Sequence, residues 1–166
     1  MAIEQQLVNN NIQMTFEIVG IQILNLSIKN SPEYFLLPAN NNYAFEIKAG
    51  VLVDSLNQVI GIDFQIQLFS SPEKIDNVFG LTVRMSYKIL NFENVVIRDG
   101  SKISVQDSAL HHLLALTVST TRGILFEKVQ GTFLSRIILP PIDVTTLTKT
   151  ENQIPHVKGN ENQPQK

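Results

Sequence analysis

A strict alternation of apolar and polar residues over positions 58–70 constrains the fold of this chain more than any other feature. Every second residue from Ile60 to Leu68 is large and apolar, whereas the residues between them are small or polar. A period of two is typical of a β-strand with one buried and one solvated face. The alternation recurs over residues 43–53 and 78–92, and a less regular β-rich segment covers residues 14–28. The sequence therefore predicts a four-stranded antiparallel sheet with one wet face.

The lengths of the connections predict how these strands pair. Residues 54–57 have the composition of a short hairpin turn, and residues 70–77 form a slightly longer one. The link between the first and second strands, residues 29–42, is longer than a tight hairpin needs. It predicts a long crossover after the first strand, while the second, third and fourth strands form a meander.

The apolar period changes from 2 to 3.6 after residue 100, which indicates a helical region. Ser104 and Asp107 have the spacing of a capping box at its start, and Gly131 is placed to end it. Residues 117–121 are rich in β-branched and hydroxyl side chains, so both one long helix and two helical pieces are compatible with the pattern.

The pattern after the long helix predicts an extended segment over residues 132–142 and then a short helix over residues 144–149. Asp143 precedes that helix and has the side chain of an N-cap. Strands come first along the chain and helices follow, which is the layout of an α+β fold.

Composition restricts the class of function. The 166 residues with 43% apolar side chains suit one domain, which we place at residues 13–150, between a flexible arm (1–12) and a disordered tail (151–166). A net charge of −2 lacks the basic excess of a nucleic-acid-binding protein, and the absence of cysteine excludes disulfides and thiolate metal sites. No apolar run approaches the roughly 20 residues of a membrane span, and no basic residue precedes the first apolar stretch as in a secretory signal. We therefore expect a cytoplasmic protein.

Short motifs mark the start of the first strand and the segment after the long helix. They are Met14-Thr15-Phe16-Glu17-Ile18, Gly131-Thr132-Phe133, Leu139-Pro140-Pro141-Ile142-Asp143 and Thr146-Leu147. In this order, over residues 14 to 148, the chain resembles the SecB family of protein-export chaperones. The resemblance implies a homotetramer, built as a dimer of dimers, that holds unfolded chains or preproteins in apolar grooves. It also implies no ATP and no cofactor, and transfer of clients to the translocation motor SecA.

Two departures from the family pattern bear on that last partner. Members that dock on SecA present carboxylates on the exposed face of the first strand, whereas the corresponding positions here are Asn25 and Lys29. The typical member also has an acidic tail, whereas this tail carries Lys149, Lys158 and Lys166. Both departures argue against SecA docking and favour a divergent SecB-like chaperone, such as those dedicated to the antitoxin of a toxin–antitoxin pair.

Two apolar sets are candidates for client contact. They are Tyr34, Phe35, Leu36 and Leu37 in the long crossover, and Tyr43, Phe45 and Ile47 on the second strand. The first set lies in a loop, where an apolar patch often marks a binding site, and in the family this loop edges the client groove. The second set lies where the family's groove continues. The alternative interpretations are a loop folded down over the core and strand residues that belong to an ordinary core.

The apolar residues of the first strand and the long helix are candidates for a subunit interface, because a sheet with one helical layer leaves a face to cover. A monomer that covers itself is the alternative. The alternative function is a carrier that encloses a small hydrophobic ligand between sheet and helix. We do not expect an enzyme, because the sequence carries no recognisable catalytic motif. The adjacent His111 and His112 would point about 100° apart on a helix and could not chelate one metal ion.

Overall fold

The computed structural model describes residues 14–29, 31, 43–71, 73, 76–100, 102–136 and 138–147. The predicted arm and tail lie outside these ranges. The elements of the described part, in chain order, are β1 (Phe16–Ile28), β2 (Ala44–Asp54), β3 (Val59–Phe69), β4 (Asn77–Ile89), β5 (Val96–Asp99), β6 (Lys102–Val105), α1 (Asp107–Lys128) and α2 (Val144–Leu147), with 3-10 turns at Phe92–Asn94 and Phe133–Arg136. The architecture is α+β, as the change of period predicts. No helix in these ranges is long and apolar enough to span a membrane.

Four strands form one antiparallel sheet in the order β1-β4-β3-β2. β2, β3 and β4 form the predicted meander, and β1 and β2 lie at opposite edges, so the long crossover is confirmed. The hairpin after β2 is held by Asp54, whose carboxylate Oδ1 accepts the N–H groups of Leu56 at 3.0 Å and Asn57 at 3.1 Å. The side chain of Asn57 donates from Nδ2 to Oδ2 at 2.8 Å, and this hydrogen bond, together with the two backbone ones, lowers the pKa of Asp54. Gln58 completes the turn in the left-handed region, with φ of 57°.

The strand register aligns the apolar side chains in rows across the inner face of the sheet. One row contains Val53, Ile60, Tyr87 and Ile18, and another contains Phe45, Leu68, Phe79 and Ile28. α1 packs over β3 and β4, so the inner residues of these two strands are fully buried. The central strands β3 and β4 thus form one side of the core, and α1 forms the other.

A buried hydrogen-bond cluster fixes α1 over β4. The hydroxyl oxygen of Tyr87 lies 2.8 Å from Thr117 Oγ1 and 3.2 Å from the carbonyl oxygen of Leu113. Thr117 also donates to the carbonyl of Leu113 at 2.9 Å. α1 continues without a break through the run of β-branched residues, so the alternative of two helical pieces is wrong.

β1 is less regular in sequence because it contains two β-bulges. The register with β4 shifts between Ile18 and Gly20 and again between Ile23 and Asn25. Each shift inserts one residue, so that apolar positions separated by three still reach the inner face. Phe16 and Ile18 start this inner set as predicted, but Ile18 is 51% exposed because β1 lies beyond the cover of α1.

Three features of the segment around α1 differ from the sequence-based expectations. The predicted capping box is wrong, because Ser104 lies in β6 and the N-cap is Gln106, which makes no side-chain cap hydrogen bond. The β5–β6 hairpin was not predicted, since its strands have four residues each. The expected extended segment is interrupted by the 3-10 turn at Phe133–Arg136.

The end of the described chain returns along α1 and covers the β2 side of the sheet. Leu139 packs with Phe64, Ile66 and Val118 in a second apolar cluster. Asp143 is the N-cap of α2, as predicted, because its Oδ1 accepts the N–H of Thr145 at 2.9 Å. α2 ends at Leu147, and the last two residues of the predicted helix lie outside the described ranges.

Candidate functional site: an apolar groove between the sheet and the long helix

An open groove lies where the inner face of the sheet meets the C-terminal end of α1. The empty space within it, counted together with the part open to solvent, is about 270 Å³. The sheet contributes the floor and the helix, together with the chain that follows it, contributes the walls. The lining residues are Phe45, Ile66, Leu68 and Phe79 from the sheet, and Leu125, Val129, Leu134 and Leu139 from the walls.

The floor follows from the strand register. Phe45, Leu68 and Phe79 lie side by side on β2, β3 and β4 in one row of the inner face. Ile66 belongs to the next row, opposite Ile47 of β2. Two aromatic rings with an aliphatic residue between them therefore form a continuous apolar surface at this end of the sheet.

The walls follow from helix periodicity and from a turn. Leu125 and Val129 are four residues apart and therefore lie on the same face of the helical end. Gly131, with φ of 75°, redirects the chain in a conformation that side chains disfavour. Thr132 then accepts the N–H of Leu134 at 3.2 Å through its Oγ1, which starts the 3-10 turn that brings Leu134 to the groove.

A hydrogen bond from the helix holds the returning chain that bears Leu139. Arg122 donates from Nη2 to the carbonyl oxygen of Pro140 at 2.8 Å. Leu139 is 8% exposed, although it follows immediately after an 88% exposed Ile138. The wall on this side is thus a short segment fixed to α1 at one point.

The chemistry available in the groove is apolar contact. All eight lining side chains are hydrocarbon, so the lining offers no side-chain hydrogen bond, acid or base. Nor does the described part of the chain contain a group of three or more His, Cys, Asp or Glu residues placed to hold a metal ion. Such a surface binds other apolar groups through the non-directional hydrophobic effect.

The structure distributes the predicted client residues of the second strand over three environments. Phe45 lines the groove. Ile47 lies one row further along β2 and packs against the second apolar cluster. Tyr43 precedes β2 and packs against the main core, where burial raises the pKa of its phenol. Tyr34, Phe35, Leu36 and Leu37 lie outside the described residues.

Sequence reasoning did not single out the other seven lining residues. The alternation in β3 and β4 gives the direction of Ile66, Leu68 and Phe79, but it does not tell which rows of the sheet border the groove. Leu134 and Leu139 come from a segment expected to be extended, and their position depends on Gly131 and on the bond from Arg122. Only the α1 stripe with Leu125 and Val129 was visible as a helical apolar face.

The two positions compared with SecA-docking proteins lie within β1 and immediately after it. Asn25 lies opposite Thr82 on the outer face of the sheet. Lys29 follows β1 and its Nζ lies 2.8 Å from Asp76 Oδ1. This end of the outer face therefore bears a cation and a carboxylate in contact, and it does not repeat a row of carboxylates.

No protein-family model and no curated protein matches this chain. Among solved structures, it is similar to a SecB-like chaperone of Mycobacterium tuberculosis in complex with a ChAD peptide from an antitoxin, with 16% identity over 76% of this chain and 83% of that chain and a TM-score of 0.42. It is also similar to a protein of unknown function from Streptococcus agalactiae, with 13% identity over 71% and 90% of the two chains and a TM-score of 0.37. At these values the two likenesses establish neither family membership nor function.

Proposed function

We propose that this protein is a SecB-like, ATP-independent chaperone that binds apolar segments of unfolded or preprotein chains. The observation that carries the proposal is the open groove, whose eight lining residues are all apolar. A surface of this kind selects hydrophobic side chains without regard to sequence, which is what a holdase requires. The clients would be chains for export or a dedicated partner such as an antitoxin.

The size and chemistry of the groove favour a polypeptide client over a small hydrophobic ligand. Pockets for small ligands typically have roughly 300–1,000 Å³ and a few placed polar groups that fix orientation. The void within this groove is only about 20 Å³, far below that range, and no lining side chain is polar. A void of this size does not enclose a whole small molecule, whereas an apolar side chain of a longer chain can lie against the mouth of the groove.

Further parts of the proposal extend beyond the groove. Tyr34, Phe35, Leu36 and Leu37 would add an apolar lip, and Tyr43 and Ile47 would continue the contact along β2. A homo-oligomer, a dimer of dimers in its full form, would present several grooves to one client. SecA is a less favoured partner, because Asn25 and Lys29 replace the expected carboxylates.

The test is suppression of aggregation of a chemically denatured client at stoichiometric ratio, without nucleotide. We expect the wild-type protein to slow aggregation and Phe45→Glu to lose most of that effect, because a carboxylate in the floor would oppose entry of apolar groups. Leu56→Glu is the matched control, since Leu56 lies in the β2–β3 turn and is 91% exposed. It should retain wild-type activity.

Thermal unfolding of Phe45→Glu and Leu56→Glu separates a loss of binding from a loss of fold. If Phe45→Glu unfolds early, Leu125→Gln on the wall of the groove replaces it in the assay. A wild-type protein that fails to slow the aggregation of any denatured client would contradict the proposal. Co-purified lipid detected by native mass spectrometry, in that case, would favour the carrier function.

A further inference from the structure

The segment that forms the walls of the groove differs in charge from the rest of the molecule. Over residues 108–142 the sequence contains one carboxylate, Glu127, and three permanent cations, which are Arg122, Lys128 and Arg136. With three cations and one anion, this segment has a formal charge of +2, whereas the whole chain has a net charge of −2. The same segment supplies all four wall residues, so each cation is close in sequence to a residue that lines the groove.

Arg122 is the first of these cations and lies beside the wall. It precedes the wall residue Leu125 by three positions on α1, and residues with this spacing share one side of a helix. Its Nη2 donates to the carbonyl oxygen of Pro140 at 2.8 Å, next to the wall residue Leu139. This hydrogen bond does not neutralise the guanidinium, because a carbonyl group carries no net charge. Within the described ranges Arg122 forms no ion pair, and its Nε has no acceptor.

Arg136 is a second cation that forms no ion pair with any residue the structure describes. It is exposed and is the last residue of the 3-10 turn, two positions after the wall residue Leu134. Lys128 differs, since its Nζ lies 2.9 Å from Glu127 Oε2 and it occupies the last turn of α1, where the helix dipole is negative. The uncompensated positive charge of the walls therefore belongs to Arg122 and Arg136.

The acidic residues at the same end of the sheet do not compensate these two arginines. Asp76 pairs with Lys29 at 2.8 Å, and Glu46 pairs with Lys48 at 2.7 Å. Glu46 also points to the outer face, because the residue before it on β2 lines the groove. Glu73 is exposed in the turn between β3 and β4, beyond the ends of the strands. The groove thus has an apolar centre and an electropositive rim on the side of its walls.

We propose that the preferred clients of this groove are polypeptide segments in which an apolar side chain is flanked by Asp or Glu. The apolar side chain lies against the lining, and the flanking carboxylates lie at the rim near Arg122 and Arg136. A planar guanidinium matches a carboxylate with two parallel hydrogen bonds, which makes arginine the better cation for this purpose. The inference rests on the proposed function and deepens it by naming the chemical class of the client.

Charge complementarity and the apolar lining together favour a polypeptide over other anions. Two arginines are too few for the several phosphate contacts that give a nucleic acid its affinity. Phosphates placed against eight hydrocarbon side chains would also lose their hydration without compensation. An acidic polypeptide segment satisfies both parts of the site, because it carries apolar and anionic side chains on one chain.

The binding of two labelled peptides, measured by fluorescence anisotropy, tests the inference. Both peptides have the same central run of leucine and phenylalanine, and two glutamates flank it on each side in one peptide and two lysines in the other. An exposed ion pair strengthens binding roughly 1.5- to 5-fold. We therefore expect the glutamate peptide to bind about five- to tenfold more tightly at low ionic strength. The preference should fall below about twofold in 1 M salt, where charges are screened over about 3 Å.

Two charge reversals locate the preference on the protein. Arg136→Glu should bring the ratio of the two dissociation constants close to one, because it replaces a cation of the rim by an anion. Lys102→Glu is the matched control, since it changes the net charge equally but lies on β6, at the other end of a helix roughly 33 Å long. It should retain the wild-type ratio. Thermal unfolding checks the fold of both variants, and the milder Arg136→Gln replaces Arg136→Glu if that variant is unstable.

The outcomes separate this inference from the proposed function. Equal binding of the two peptides by the wild-type protein, or the same loss of preference in Arg136→Glu and Lys102→Glu, would overturn the inference and leave the chaperone function intact. A wild-type protein that binds neither peptide would contradict the proposed function, and the inference would fall with it.

Discussion

The two edge strands of the sheet, β1 and β2, have similar sequences and opposite surroundings. Both alternate apolar and polar residues, and both pair with a strand that is buried on its inner face. On β2, Ile47 and Ala49 pack against the chain that returns after α1, whose contacts include Leu139 and Val144. On β1, Ile21 remains 53% exposed. The C-terminal segment thus covers one edge strand and leaves the inner side chains of the other partly exposed.

The difference shows that the burial of a strand depends on the helix or segment that packs on it and not on the sequence of the strand alone. α1 contacts β3 and β4 and reaches β1 mainly at its start, where the rings of Phe16 and His112 lie 5.8 Å apart. Further along β1, the inner residues Ile18, Ile21, Ile23 and Leu26 are 39–53% exposed. Full burial of an aliphatic side chain contributes roughly 1.5–3 kcal/mol of favourable free energy. Burial of the exposed aliphatic residues of β1 would therefore be strongly favourable.

The largest expected effect is a difference in the free energy of unfolding between substitutions of two leucines, one on each side of the sheet. Leu139→Ala removes a buried side chain from the cover of β2 and should lower the free energy of unfolding by about 2–4 kcal/mol. Leu26→Ala, at a residue 39% exposed on β1, should cost about 1 kcal/mol in the monomer, because less apolar area is lost. Chemical denaturation of both variants measures the two values.

Protein concentration sharpens this comparison. If β1 pairs with a second copy, the cost of Leu26→Ala should grow with concentration, while the cost of Leu139→Ala should not. Equal costs for the two substitutions in a dilute monomer would mean that β1 is already covered within one chain. That result would contradict the contrast between the two edges.

A smaller effect is expected at the cluster that holds α1 over β4. Tyr87→Phe removes the hydroxyl near Thr117 but leaves Thr117 bonded to the carbonyl of Leu113. No buried group is orphaned, so we expect a loss of about 1 kcal/mol in the free energy of unfolding. Thermal or denaturant unfolding at neutral pH measures it, with Tyr43→Phe, at a less buried tyrosine, as the control.

The same substitution should change the response to alkali. Burial raises the pKa of Tyr87 above the ordinary value of 10.0. The unfolded chain therefore releases this proton first as the pH rises through 10, and the wild-type protein loses stability in that range. Tyr87→Phe should lose less stability than the wild type between neutral pH and pH values above 10. An identical decline in both proteins would show that Tyr87 does not ionise differently in the two states.

The periodicity of the sequence was sufficient to predict the sheet and its pairing. The alternation in β3 and the long link after β1 identify the meander and the crossover, because both depend on short-range properties of the chain. The N-cap Asp143 was found for the same reason, since a cap acts within three residues. The predicted capping box at Ser104 failed because the adjacent residues pair as a β-hairpin, which takes precedence over the local signal.

The groove and the exposed edge could not be derived from periodicity alone. Phe45 and Ile21 are both apolar residues in alternating strands, yet one lines a groove and the other lies at an open edge. Their surroundings depend on where α1 crosses the sheet, which is set by contacts between residues distant in sequence such as Tyr87 and Thr117. The bulges in β1 were visible only as an irregular spacing, and their position required the partner strand.

The smallest expected effect concerns the outer face, where the two sides of β4 also differ. Arg84 of β4 donates from Nε and Nη2 to the two carboxylate oxygens of Asp63 on β3, each at 2.6 Å, and this pairing raises the pKa of Arg84. On the other side, β1 presents the uncharged Gln22 opposite Arg84. Asp63→Asn should therefore lower the free energy of unfolding by about 0.5–1 kcal/mol, because the pair is partly exposed.

Salt distinguishes this ion pair from simple packing. The cost of Asp63→Asn should decrease when the ionic strength is raised to 1 M, where screening acts over about 3 Å. Glu17→Gln, at an exposed carboxylate of β1, is the control and should change stability less at either ionic strength. A cost for Asp63→Asn that does not depend on salt would assign the contribution of Asp63 to its hydrogen bonds. The outer face of β4 would then be joined to β3 by hydrogen-bond geometry and not by charge.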